Sequence, residues 1–158
     1  MTSRTPAARV ATAVLLVVTA CGQSPESPSA PADGLAGWAA DTLPLPAEGG
    51  FSMAGSTGAD GGRSTGSTSD VEPGWYAVTM ACAATDPGAD PGHSSGQISV
   101  SGERGTYGEG DCAGSPVTTT LRFGTSEDDP PETVTVAAEA DGHEVFWGVS
   151  ASPTTAPE

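Results

Sequence analysis

Pro73-Gly74-Trp75-Tyr76-Ala77-Val78-Thr79-Met80-Ala81-Cys82 decides the fold class of this 158-residue chain. Pro-Gly is a turn dipeptide. After it Tyr76, Val78, Met80 and Cys82 alternate with Ala77, Thr79 and Ala81, the period of two that marks a half-buried strand. The pattern returns downstream. Ile98 and Val100 precede the turn Gly102-Glu-Arg-Gly105. Val117, Thr119, Leu121 and Phe123 alternate with Thr118, Thr120 and Arg122. Val134 and Val136 give a further short strand, Asp141-Gly142 reads as a hairpin-type turn, and Val145, Trp147 and Val149 close the series. Nothing between residues 50 and 150 has a helical period. The pattern predicts an all-β fold of five to seven short strands: a small antiparallel β-sandwich or partly open barrel, preceded by a disordered tether.

Toward the N-terminus the signal weakens. Phe51 and Met53 can open a first, weak strand, and the Gly, Ser and Thr stretch from Gly55 to Ser69 reads as a long mobile loop. Residues 22 to 48 are dense in Ser and Pro and hold too little apolar surface to offset the entropy of ordering. They are read as a flexible tether with a reach of about 30 Å. Trp38, Leu43 and Leu45 interrupt it. The prolines on either side of Leu45 favour an isolated sticky spot over a docking strand. The expected organisation is a signal peptide over 1–20, a modified cysteine and tether over 21–48, a β-sandwich domain over 49–150 and a disordered tail over 151–158.

The signal peptide rests on Arg4 and Arg9, the apolar run from Val10 to Ala20, and Cys21 directly after it. A membrane span needs about 20 apolar residues, roughly twice the length of this run. Val18-Thr19-Ala20-Cys21 resembles the lipobox of bacterial lipoproteins. The resemblance implies that the Cys21 thiol takes a diacylglyceryl group, that the signal is cut before it, and that Cys21 becomes the first residue. At about 0.8 kcal/mol per buried methylene, two long acyl chains hold a protein firmly. The chain is thus expected to be anchored on the extracytoplasmic face of the cell membrane rather than to span it.

Composition agrees with export. The net charge is −15, the five basic residues are all arginine, and lysine and asparagine are absent. Such a surface repels nucleic acid and anionic headgroups, so neither is expected as a partner. The bias towards Ala, Gly, Pro and Thr resembles that of a GC-rich actinobacterial genome. Once Cys21 is modified, Cys82 and Cys112 are the remaining cysteines. A thin core in an oxidising compartment calls for a staple, and a disulfide between them is expected. Metal binding or a redox pair is the weaker reading, because there is no CxxC and neither neighbouring histidine has ligand spacing. No cofactor is expected.

Three patterns bear on chemistry. Gly92-His93-Ser94-Ser95-Gly96 matches the G-x-S-x-G nucleophile elbow, but that elbow needs a buried strand before it and a helix after it. A proline-rich loop precedes it here and the Gln97-Ile98-Ser99-Val100 strand follows. Glu127-Asp128-Asp129 and the pair Asp86 and Asp90 offer oxygen ligands of the kind calcium accepts. Neither matches a defined calcium loop, and turn chemistry accounts for both. Among the aromatics, Trp147 shares parity with Val145 and Val149 and is the expected core anchor. Trp75 has the opposite parity to Tyr76 and should point outward or sit at the rim. It and Tyr107, in a glycine-rich turn, are the candidate ligand surface.

The strand from Pro73 to Cys82, Ile98-Ser-Val100, Cys112 and Val145-Phe-Trp147-Gly-Val149 together resemble a group of small actinobacterial lipoproteins. The resemblance covers about half of the chain after Cys21. It implies export, lipid anchoring and a β-rich domain, and it carries over no reaction and no active-site residue. The expected function is a non-catalytic binding or interaction module of the cell envelope. Its partner would be an envelope protein, a peptide or a glycan. An accessory subunit of an envelope assembly is the alternative, and a small hydrolase using Ser94 a distant one.

Overall fold

The computed structural model describes residues 31–85, 96–112 and 115–157. Among these residues one helix, α1 (Pro31–Thr42), precedes eight strands: β1 (Phe51–Ser56), β2 (Gly61–Val71), β3 (Gly74–Ala84), β4 (Gly96–Gly102), β5 (Tyr107–Asp111), β6 (Val117–Phe123), β7 (Glu132–Asp141) and β8 (Val145–Thr154). They form two four-stranded sheets, the first ordered β1-β8-β3-β6 and the second β2-β7-β4-β5. Every pairing is antiparallel. The sandwich expected from the alternation is the fold observed, and the two sheets do not close into a barrel.

The pairing is nested: β1 with β8, β2 with β7, β3 with β6 and β4 with β5. The chain is therefore one long hairpin, with its tip between β4 and β5. It is rolled so that β3 also meets β8 and β4 also meets β7. Eight strands wound in this way make a jelly roll, one of the solutions to the edge-strand problem in antiparallel proteins. The outer arm of the hairpin keeps its register as it passes between sheets. Pairing runs from Phe51 opposite Ala151 to Ser56 opposite Phe146, and resumes from Gly61 opposite Asp141. At the corner the Thr57 N–H donates to the Val145 carbonyl at 3.0 Å, and the Val145 N–H donates to Thr57 Oγ1 at 2.9 Å. Asp141-Gly142 thus makes a turn that carries the chain from one sheet to the other, not a hairpin within a sheet.

The inward residues of both sheets form one core. Tyr76, Val78, Met80 and Cys82 of β3 meet Ile98, Val100, Val134, Val136 and Ala138 of the second sheet. At one end Tyr76 and Phe123 pack edge to face at 5.3 Å, with Phe51 at 6.0 Å from Phe123. The Tyr76 hydroxyl donates to the Glu72 carbonyl at 3.0 Å, which satisfies a buried polar atom. At the other end Cys82 on β3 and Cys112 just past β5 form a disulfide across the two sheets. Their sequence separation of 30 makes the cross-link worth about 3.7 kcal/mol in the chain-entropy account.

Trp147 is the core anchor, 2% exposed, and explains the stretch that the sequence reads as a loop. Its indole lies where Cβ atoms at Gly55 and Gly66 would stand, 2.6 and 2.9 Å from ring carbons. Its Nε1–H donates to Ser64 Oγ at 3.0 Å. Residues 61–71 are therefore a strand, β2, whose inward face is small because a large ring from the opposite sheet fills the space. The mobile loop expected over Gly55 to Ser69 is corrected accordingly.

The tether and tail differ from expectation as well. Residues 21–30 lie outside the described part, but from Pro31 the chain is helical, with proline at a position that suits a first helical turn. Gly34, Leu35, Trp38, Ala39, Thr42 and Leu43 are half-buried, the i, i+4 spacing of a helix resting on a surface. Trp38 packs on Phe146 at 5.9 Å. Gly148 leaves room for Leu43, whose Cδ1 would stand 2.6 Å from a Cβ there. The Ser150 hydroxyl donates to the Pro44 carbonyl at 2.6 Å, and the Ala47 N–H donates to Ser152 Oγ at 3.0 Å. Trp38 and Leu43 are thus part of a cover over the outer face of the first sheet. The expected tail begins too early: β8 continues to Thr154, paired with β3.

Candidate functional site

The second sheet presents an outer face of a different kind. Register aligns its outward residues in three rows across β2, β7, β4 and β5: Arg63, Glu139, Gln97 and Asp111; Thr65, Ala137, Ser99 and Glu109; Ser67, Thr135, Ser101 and Tyr107. Outward positions alternate with the buried Val134, Val136, Ala138, Ile98 and Val100, so the face follows from the same period of two that builds the core. The first row carries the longer side chains, and the other two carry small ones except on β5, where Glu109 and Tyr107 stand. A trough of about 330 Å³ results, lined by Arg63, Tyr107, Glu109, Thr135 and Glu139 among others.

The trough floor is hydroxylated. Ser99 Oγ donates to the Ala137 carbonyl at 3.4 Å and Ser101 Oγ to the Thr135 carbonyl at 3.5 Å. Each hydroxyl spends its proton on the backbone and turns acceptor capacity outward. At the rim Tyr107 is 58% exposed and its hydroxyl donates to Glu109 Oε1. That hydrogen bond, then desolvation and the charge of Glu109, hold the Tyr107 phenol above the ordinary tyrosine value.

The β4–β5 tip that leads into Tyr107 is fixed by a buried carboxylate. Glu132 is 2% exposed and accepts from the Gly124 N–H at 2.7 Å and the Arg104 N–H at 3.0 Å. Arg104 Nη1 pairs with the same carboxylate at 3.5 Å. Thr106 Oγ1 donates to the Arg122 carbonyl. The β4–β5 tip is therefore tied to the start of β7 and the end of β6, and Tyr107 follows the tip directly. Two backbone amides and a guanidinium satisfy the buried charge, as a carboxylate in that position requires.

The two candidate ligand residues from the sequence do not come together. Tyr107 belongs to the trough, at the start of edge strand β5 rather than in a turn. Trp75 lies on the outer face of the first sheet, half-buried, with Arg122 Cζ 5.9 Å from its ring centroid. Cys82 and Cys112 form the disulfide. Cys21, Asp86, Asp90, His93 and Ser94 lie outside the described residues. Asp129 is a turn residue: its carboxylate accepts from the Thr125 N–H, the Thr125 hydroxyl and the Ser126 N–H at 2.6 to 2.9 Å. Those bonds, the Ser126 amide foremost, hold its pKa below the usual aspartate value. Among the described residues, no group of three or more His, Cys, Asp or Glu side chains is placed to hold a metal. None of their helices is long and apolar enough to cross a membrane.

A smaller hollow of about 280 Å³ lies along the cover, between residues 39–46 and β1. It is the seam between the helical segment and the first sheet, and Leu45 stands 93% exposed at its edge.

Sequence reasoning missed Arg63, Gln97, Ser99, Glu109 and Glu139. The available signal was their parity: Gln97, Ser99 and Glu139 are opposite in phase to core residues on their own strands, whereas the strand of Arg63 has small residues on both faces through Thr68 and that of Glu109 has only glycines in the opposite phase. Comparison with known proteins returns no matching family model, no matching curated protein and no matching solved structure.

Proposed function

We propose that the protein is a non-catalytic binding module of the cell envelope, anchored through a lipid on Cys21 and presenting the outer face of the second sheet to its ligand. The observation that carries the reading is the asymmetry of the two outer faces. On one, the β8 side is occupied by the chain's own helical segment, through Trp38, Leu43 and Pro44. The other is open, polar and recessed over about 330 Å³, with its rim tyrosine next to a strand tip that a buried carboxylate network ties down. A convergence of polar groups on rigid strands, away from any loop that would have to order first, is what a pre-organised binding surface needs. The disulfide Cys82–Cys112 suits an oxidising, exported location. Arg4, Arg9, the apolar run to Ala20 and Cys21 supply the address and the anchor.

Two measurements test the two halves. In cells fed an alkyne fatty acid, the full chain takes up label and Cys21→Ala does not; an unlabelled wild-type chain overturns the anchor. The detergent-solubilised full chain sediments with lipid-extracted, insoluble envelope material from the producing cells. Ala137→Arg, which fills the centre of the trough from an outward position, loses at least tenfold in retention with its thermal unfolding midpoint unchanged. Equal retention of variant and wild type would remove the trough from the binding site.

A further inference from the structure

Resting on that reading, we infer that the trough on the second sheet takes an uncharged glycan carrying vicinal hydroxyls, laid across the strands with Tyr107 at its edge. The chemistry of the face selects among ligand classes. A protein partner is anchored by aromatic or aliphatic side chains at the centre of its site, ringed by polar groups. Here the centre is Ala137 between Thr65 and Ser99, and no large aliphatic side chain stands in any of the three rows. An apolar small molecule needs a mostly apolar pocket, whereas this floor is built from serine and threonine hydroxyls. A polyanion meets Glu109, Asp111 and Glu139 against the single Arg63, on a chain whose net charge is −15.

What fits is a neutral ligand dense in groups that both donate and accept. Glu109 and Glu139 accept from paired hydroxyls, Arg63 donates to a hydroxyl or ring oxygen, and Gln97 does both. The outward lone pairs of Ser99 and Ser101 add acceptors along the floor. Tyr107 offers an exposed ring for the C–H face of a sugar, and the bond from its hydroxyl to Glu109 restrains that ring before any ligand arrives. The dimensions agree. Three rows two residues apart span roughly 14 Å along the strands, and four strands at about 4.8 Å span a similar width. That is room for a short run of sugar rings and too little for a standard protein interface of about 800 Å² per partner.

The sedimentation assay, run on envelope material divided into two portions, decides the class. One portion is oxidised with periodate, which cleaves vicinal diols, and then reduced; the other is digested with a broad protease and washed. Retention of the full chain is expected to fall at least tenfold on the periodate-treated material and to persist on the protease-treated material. Tyr107→Ala is expected to weaken retention several-fold at an unchanged unfolding midpoint. Retention that survives periodate and disappears with protease assigns a protein partner and overturns the glycan, while leaving the binding-module reading intact. Retention that Ala137→Arg does not change overturns the trough. No retention on untreated material overturns both readings.

Discussion

The two sheets have the same number of strands and share one core, yet their outer faces are finished differently. On the first, Thr79, Ala81 and Ser150 are buried although they point away from the core. The chain from Pro31 to Ala47 crosses this side of the sandwich, held by Phe146, Gly148, Ser150 and Ser152 of β8. On the second sheet the equivalent positions of β7, Thr135, Ala137 and Glu139, remain open. An antiparallel sheet can leave one face to water if that face is polar, and the second sheet does so with Ser, Thr, Gln and charged side chains. The first face carries Phe146 and a glycine in the middle of β8, a combination suited to a partner, and the chain supplies that partner itself. Cover and trough are thus two answers to one problem: the first occupies the β8 side of its sheet and leaves Thr118 and Thr120 of β6 exposed, while the second leaves a recessed polar surface open to something else.

Trp147 joins the two halves and is the place to break them apart. It rises from β8 of the covered sheet, fills the space over Gly66 of β2 and bonds Ser64 there. Trp147→Ala removes a fully buried ring, and the expected loss is about 3 to 5 kcal/mol in chemical denaturation. Native-state hydrogen exchange should show β2 losing more protection than β3, because β2 has little else on its inward face. A loss under 1 kcal/mol would mean that β2 is held by its pairing to β7 alone.

The cover is the next test and a smaller one. Trp38→Ala deletes a half-buried ring from the contact with Phe146, and about 1.5 kcal/mol is expected from the apolar area re-exposed and the lost aromatic pair. Denaturation by urea reads the stability, and the envelope sedimentation assay reads the other face. Stability should fall while retention holds. A parallel fall in retention would show that the faces are coupled and that the cover does more than shield its own sheet.

The difference between the faces also separates what the sequence discloses from what it hides. Strands β3, β4, β6, β7 and β8 are legible because one face of each is apolar, and burial imposes the period of two directly on the residues. The disulfide is legible because two cysteines remain for one core. β2 is hidden because its inward positions are Ser64, Gly66 and Thr68, which are small to accommodate Trp147 from a strand about 80 residues away. A composition rule reads such a run as loop; only the ring it receives makes it a strand. Helix α1 is hidden because its buried stripe contains glycine and alanine beside Leu35 and Trp38, so the stripe is set by the flatness of the sheet and not by hydrophobicity. The trough follows from register. Arg63, Glu139, Gln97 and Asp111 come from four strands, and no spacing along the chain brings them into one row.

The smallest expected effect gives the most local reading of the comparison. The chain has two tyrosines, one for each environment. Tyr76 is buried in the core beneath the first sheet, and burial first, then the charge of Glu72, raises its ionisation above the ordinary value of 10.0. Tyr107 stands on the open face and is raised chiefly by its hydrogen bond to Glu109. A raised tyrosine value means that folding favours the neutral phenol. The associated stability is fully present below about pH 10 and is lost as pH rises through the folded-state values. Absorbance of tyrosinate should therefore develop above pH 10 for both residues. Glu109→Ala removes both the acceptor and the charge beside Tyr107, so one of the two steps should move down while the Tyr76 step stays. If both steps move, the outer face of β5 and the core beneath β3 are electrostatically one region. If only one moves, Tyr107 becomes a reporter for the trough: a ligand that covers it should shift that step and leave the core tyrosine as an internal reference.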